Sequence, residues 1–315
     1  MLTTSANTGF LMEDRQNLSV CTDRPTFLMN VPLSLNYGEP NNATMKALSE
    51  EERMLDLSLA LRQFHALYSF VVKHGFVYLL PPAEGFQDQT YVSNVAAFLP
   101  HIEHATVILS NFRSKPRIGE ELIARPFLGS LGYTVSKAPR YFEGEADLKY
   151  LNKNVYIGAH GMRTSQEALD WMQEHFDMTV LPVRIRDPHA YHLDCIAFPI
   201  DPENTLVCTE LLDAKEINAI SRHTNIHDIS YGAAMAMATN CLRIGDQLLA
   251  QTNISLYRSD EQMYAWEIEK EERLETVCKN HGLELNLFDL SEFRKSGAAL
   301  SCFFVKLNRA AIHPF

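Results

Sequence analysis

What this sequence lacks narrows it first. No apolar run reaches the ~20 residues needed to cross a bilayer, and the chain does not open on the basic start and apolar run of a secretory leader. Lys and Arg number 28 against 39 Asp and Glu, a formal net charge of −11. The basic residues are scattered rather than blocked, which disfavours nucleic acid and anionic membranes as partners. No C-x-x-C pair occurs, and six cysteines spread through 315 residues fit reduced thiols in a cytoplasmic setting. The pair His189 and His192 is too short and isolated a motif for zinc, so neither metal nor organic cofactor is expected. No G-x-G-x-x-G or Walker sequence is present, which argues against a doubly wound nucleotide-binding sheet.

What is there supports a large core. The apolar fraction is 46%, enough for one large domain or two ordinary ones. Residues 1–24 are polar and aperiodic and read as a flexible extension, with a single domain over 25–315. Ser49 and Glu52 have the form of a capping box. Leu55, Leu59, Phe64, Leu67 and Val71 then recur at helical spacing until Gly75. "FVYLL" (76–80) reads as a buried strand.

From there one theme repeats. A short strand ends in a polar or reactive residue, and a second strand, a helix and a third strand follow. "TYVSN", "FEGEAD", "YHLDCIAF" and "AMATN" open four such units. The closing "GAALSCFFVKL" and the opening "TFLMNVPL" supply a fifth. Arranged in a ring, the units would bring Asn94, Glu143, His192, Asp194, Asn240 and Cys302 to a central pit. The expected fold is therefore a five-bladed α/β propeller of ββαβ units.

These residue types suit one chemistry. A cysteine attacks carbon as its thiolate, histidine is the usual proton shuttle, and carboxylates orient an imidazole or hold a planar cation through paired hydrogen bonds. His192 and Asp194 stand two apart, on one face if the segment is a strand, and an extended "FEGEAD" would likewise put Glu143, Glu145 and Asp147 on one face. The implied substrate is a cation with an electrophilic carbon, for which guanidinium fits. Cys21, Cys195, Cys208, Cys241 and Cys278 are read as structural, Asn240 as a turn residue, and Asp147 as bonding either backbone or substrate.

In order and spacing these segments resemble the guanidino-group-modifying enzymes: arginine deiminases, dimethylarginine hydrolases and amidinotransferases, with the arginine dihydrolase branch nearest. The resemblance runs from about Phe27 to Phe304. It rests on "FLMNVPLSLNYGEPNNATM", "DQTYVSN", "LSNFRSKPRIGEE", "FEGEAD", "HGMRT", "HLDC" and "DLSEFRKSGAALSC". It implies the five-unit α/β propeller (pentein), with Cys302 as nucleophile, His192 as acid and base, and Glu143 as the carboxylate that orients the histidine. Asp194, Asn94, Asn42, Arg117 and Arg163 become substrate-binding residues, with Arg117 meeting the substrate carboxylate. Glu145 departs from the family's usual small residue and is expected to add a carboxylate near the site. The implied reaction runs through a covalent thiouronium. A deiminase stops at citrulline, whereas a dihydrolase continues to ornithine, ammonia and carbon dioxide; Asn94, where deiminases carry aspartate, favours the second. An amidinotransferase, a dimethylarginine hydrolase and a non-catalytic guanidino-binding propeller are the alternatives. The expected partner is a small guanidino compound, met by a single chain or by a homo-oligomer.

Overall fold

The computed structural model describes residues 23–312. All of the 1–24 extension except Asp23 and Arg24 lies outside the described residues, as does Cys21. The described residues form five three-stranded sheets. One contains β1 (Thr26–Met29) and β2 (Phe76–Leu79). The next three contain β3 (Ala96–Phe98), β4 (Thr106–Leu109) and β5 (Thr134–Lys137); β6 (Leu148–Asn152), β7 (Val155–His160) and β8 (Thr179–Arg184); and β9 (Ala197–Asp201), β10 (Asn204–Val207) and β11 (Asn225–Asp228). The fifth contains β12 (Leu242–Ile244), β13 (Gln247–Thr252) and β14 (Glu284–Asp289). The last strand, β15 (Val305–Lys306), returns to β1.

Each sheet pairs its first two strands antiparallel and its last two parallel. A parallel step needs a crossover. Helices Leu57–His74, Glu120–Ser130, Gln166–Phe176, Ala214–Ser221 and Glu261–His281 provide it. Local chemistry sets their ends. Asp56, Ser165, Asp213 and Asp260 each accept a hydrogen bond from a first-turn backbone N–H, the usual N-cap arrangement. Ala60, Phe64, Leu67 and Val71 form the buried stripe of the first of these helices, as their spacing predicts.

The sheets pack on one another through alternate faces of their strands. Phe27 and Met29 of β1 join a core with Leu249 of β13, while Leu28 joins one with Val107 of β4. Ile108 of β4 packs in a cluster with Tyr156 of β7 and Val180 of β8. Ile157 of β7, Leu206 of β10 and Leu248 of β13 share the largest cluster. No helix among the described residues is long and apolar enough to cross a membrane.

Three local expectations differ from the structure. The capping box of Ser49 and Glu52 does form, with Ser49 N donating to Glu52 Oε2 at 2.8 Å and Glu52 N to Ser49 Oγ at 3.3 Å. It closes an isolated turn, and the helix starts at Leu57. "FVYLL" is not buried throughout: Phe76 and Leu79 are 44% and 40% exposed, because β2 is the outer strand of its sheet. The reactive residues also do not end the first strand of each unit. They occupy a turn just before it: Val92–Asn94 before β3, Gly144–Asp147 before β6, Leu193–Cys195 before β9, and Leu300–Phe303 before β15. Asn240 likewise precedes β12.

Candidate active site

These turns meet around one pocket, of about 350 Å³ of empty space including its open mouth, lined by Asn42, Asn94, Arg117, Arg163, His192 and Cys302 among others. Short first strands place the turns there. A three-residue strand such as β3 leaves the preceding turn, and Asn94 within it, directly at the end of the sheet.

Within "FEGEAD", Gly144–Asp147 is one turn of helix that starts after Glu143, not an extended strand. Positions four apart on a helix share a face, so Glu143 and Asp147 both reach His192. His192 Nδ1 lies 3.0 Å from Asp147 Oδ1 and His192 Nε2 lies 3.3 Å from Glu143 Oε2. Thr164 Oγ1 donates to Asp147 Oδ2 at 2.7 Å and accepts from the Glu143 backbone N–H at 3.1 Å, tying the Asp147 carboxylate to the Glu143 backbone. Gly144 makes this packing feasible. Its φ is +60°, and a Cβ there would meet the Ser93 carbonyl oxygen at 2.3 Å. Helical geometry turns Glu145 the other way, so it adds no carboxylate to the pocket: Lys306 N donates to its Oε1 at 3.0 Å, and Lys306 Nζ lies 3.6 Å from Oε2.

His192 and Asp194 do not share a strand face either. His192 is extended, but a 3₁₀ turn starts at Leu193. Asp194 therefore faces the closing segment, accepting from Ser301 Oγ at 3.2 Å and from Cys302 Sγ at 3.9 Å. Asn240 anchors the same segment: the Ser301 N–H donates to its Oδ1 at 2.7 Å, and its Nδ2 lies 4.0 Å from Cys302 Sγ. Asn94 sits at the histidine end, its Nδ2 3.1 Å from His192 Nε2 and 3.4 Å from Glu143 Oε2.

The other predicted residues are more heavily engaged by the protein. Asn42 caps the short helix Ala43–Ala47, accepting from Met45 N at 2.9 Å, and donates to the Ser296 carbonyl at 2.8 Å. Both ends of its amide therefore tie the opening segment to the closing one. Arg163 Nη1 lies 3.3 Å from each Glu143 oxygen, Nη2 donates to the Asn41 carbonyl at 2.8 Å, and the guanidinium stands over the Tyr191 ring. Arg117 is buried, not on a helix surface. Its Nε and Nη2 donate to Glu120 at 3.0 and 2.7 Å, and Nη2 also to the Tyr91 carbonyl at 2.9 Å. Arg117 Nη1 makes no hydrogen bond among the described residues.

Two residues of the site carried little sequence signal. Asp147 could bond backbone or substrate when read as extended; its spacing of four from Glu143 points to the histidine only once the segment is helical. Asp88, also in the pocket wall, accepts from Asn41 Nδ2 at 2.6 Å. It stands in a run of buried polar residues, Gln87 to Thr90, that no periodicity marks.

Electrostatics divides the site in two. Burial, aided by Asp194, pushes the Cys302 thiol up to about 12. Burial alone would hold His192 neutral, but Asp147 and Glu143 outweigh it and raise its pKa above the ordinary 6.5. At rest the cysteine is thus a thiol, and the two carboxylates shift His192 toward its imidazolium form. Burial raises Asp88 above the usual carboxylate value, against the opposing charge of Arg117. Among the described residues no cluster of His, Cys, Asp and Glu could hold a metal ion.

No family model matches the chain. It is 30% identical over 144 residues to the bifunctional arginine dihydrolase/ornithine cyclodeaminase AgrE of Nostoc sp., a match that covers 45% of the chain and 20% of that protein. It is 28% identical over 148 residues to the dimethylarginine dimethylaminohydrolase of Mycobacterium tuberculosis, covering 47% of each. The chain thus spans less than half the length of either relative. In fold it resembles the N-terminal domain of ArgZ solved covalently bound to a reaction intermediate, with a TM-score of 0.76 and 21% identity, covering 90% of this chain and 97% of that one. The sequence relatives and structural neighbours of the chain are thus arginine dihydrolases and dimethylarginine dimethylaminohydrolases, members of the guanidino-group-modifying superfamily.

Proposed function

We propose that the protein is a cysteine-dependent hydrolase of the guanidino group of arginine or a close relative of it. The observation that carries the reading is the pairing, in one pocket, of Cys302 beside Asp194 with a His192 held between Asp147 and Glu143. We read residues 25–315 as a single domain whose five sheets close into a propeller. The sharing of cores from one sheet to the next, and from β13 back to β1, supports this.

Asp194 is the anchor for a planar cation, since its carboxylate can accept two parallel N–H bonds. Arg117 Nη1 is a donor for the substrate's carboxylate, and Asp88, close to it, suits an ammonium. An amino acid with a cationic side chain meets all three charges. A guanidinium settling beside Cys302 brings the positive charge the thiol lacks, and the thiol releases its proton to water. The thiolate sulfur attacks the guanidinium carbon. His192 gives its proton to the departing nitrogen, the C–N bond breaks and ammonia leaves a thiouronium on Cys302. Water, losing a proton to His192, then adds to that carbon; the C–S bond breaks and citrulline forms. Asn94 lies at the reacting end and carries no charge. A neutral amide can meet either a guanidinium or the neutral ureido group, which supports a second round: arginine and two waters give ornithine, two ammonia and carbon dioxide. The ArgZ domain bound to an intermediate offers a precedent for the covalent step.

Incubation with arginine, followed by chromatography of the products, tests the reading. Ornithine with about two ammonia per arginine is expected from the stoichiometry. Citrulline alone would sink the dihydrolase reading and leave the hydrolase; no turnover of any guanidino compound would sink both.

A further inference from the structure

A second, larger cavity lies away from Cys302. It encloses about 720 Å³ of empty space including its mouth, and strands from all five sheets line it: β3, β6, β9, β12 and β15. Its charged residues are Glu145, Lys149, Asp201, Arg243 and Lys306. Two of these are carboxylates, and both are occupied. Glu145 is held by the backbone and side chain of Lys306. Asp201 accepts from Asn204 Nδ2 at 2.8 Å and lies 3.3 Å from His281 Nδ1. Arg243 spends Nε and Nη1 on the carbonyls of Gly245 and Ile200, at 2.9 and 3.0 Å.

Lys149 has only a share in Glu145, which Lys306 already holds. It is only 7% exposed, and its ammonium makes no hydrogen bond or ion pair among the described residues. Lys149 and Lys306 both act on the one carboxylate of Glu145, so the cavity wall holds more positive than negative charge at this point, and charge held in a largely buried wall favours a counter-ion. Lys306 bears the same sign of deficit. Burial lowers its pKa, Glu145 opposes that, and Lys149 adds to the lowering.

We propose that this cavity is a binding site for a small oxyanion, a carboxylate or a phosphate, held between Lys149 and Lys306 with Arg243 beside them. Apolar walls from Phe198, Ile200 and Leu148 leave room for a short hydrocarbon body and keep the anion's charge poorly screened, which strengthens its attraction to the ammonium groups. None of its lining residues lines the Cys302 pocket, and its occupancy does not depend on the reaction assigned to Cys302.

Selenate, a tetrahedral dianion that anomalous diffraction locates through its selenium, is the direct probe. Soaked into crystals of the full chain, it is expected between Lys149 and Lys306. In solution, inorganic phosphate and acetate are titrated at ionic strength fixed with sodium chloride. At least one is expected to raise the Tm of the wild type, and Lys149→Met is expected to lose more than half of that rise. The comparison with the variant matters, because Arg117 and Arg163 offer anions another place. A full response in Lys149→Met, no response to either anion, or selenium only at other positions overturns the site. Lys306→Met replaces Lys149→Met if the latter does not fold, and the anomalous map of the wild type decides if neither does.

Discussion

His192 Nδ1 faces Asp147, not Glu143, at 3.0 Å. The imidazole is therefore fixed from behind by one carboxylate and met on its Nε2 side by another, which Arg163 shares. Asp147→Asn removes the charge that favours the imidazolium and leaves the shape. Turnover is expected to fall roughly 10²- to 10⁴-fold, as when the orienting acid of a catalytic triad is made neutral. The pH profile gives a second readout. The folded pKa of His192 is raised, so its proton is present at low pH and lost as pH climbs through that value. In Asp147→Asn the alkaline limb should move to lower pH, while Glu143→Gln should cost less rate. An unmoved limb with unchanged turnover would refute the role.

Cys302→Ser should abolish turnover and keep ligand binding, since a hydroxyl is the weaker nucleophile. Mass spectrometry of acid-quenched wild type should find the adduct on Cys302. In the free protein the thiol sits near 12, so alkylation by iodoacetamide should keep rising through pH 9. A plateau below pH 8 would show a thiolate already formed, contrary to the burial argument.

Asn94→Asp should shift the product from ornithine toward citrulline. An aspartate there holds the cation and receives the neutral ureido group poorly. Chromatography of the two reactions side by side checks it, and an unchanged ratio of products would count against Asn94 as the discriminator.

Gly144→Ala tests the mounting of the site. The added Cβ meets backbone atoms of Ser93 and Asn94 at 2.3 and 2.7 Å, at a φ of +60°. Neither backbone nor glycine can yield cheaply, so a loss of about 2–4 kcal/mol is expected, read by denaturant unfolding. Gly245→Ala also sits at positive φ, with nothing within 4 Å of its Cβ, and should cost less.

Much of this was legible in the residues themselves. Helical spacing marks the helix through Phe64 and Val71, and the grouping of two strands, a helix and a strand recurs as read. The convergence of Asn94, Glu143, His192, Asp194, Asn240 and Cys302 follows from that repeat. The first strands were not legible, because a three-residue, wholly buried segment such as Ala96–Phe98 has no alternation to detect. That omission moved the reactive residues from turns onto strands. It also hid the partnership of Asp147 with His192, since residues four apart lie together on a helix, and the extended reading made Glu145 their neighbour on one face. The ion pair that buries Arg117 was not legible either, because Glu120, three positions on, gives no sign in sequence that both are buried.

The pairing of Phe27 with Lys306 brings together residues 279 positions apart, by subtraction of their numbers. Four sheets are completed by neighbouring segments, but the fifth joins strands from opposite ends of the described chain. Closing so long a loop costs chain entropy before any contact rewards it, and such distant contacts slow folding. Cys302 lies in the turn that enters this strand. The proposed nucleophile is thus delivered by the step with the longest reach, and a half-assembled chain, however well its other sheets have formed, presents His192 without the sulfur of Cys302.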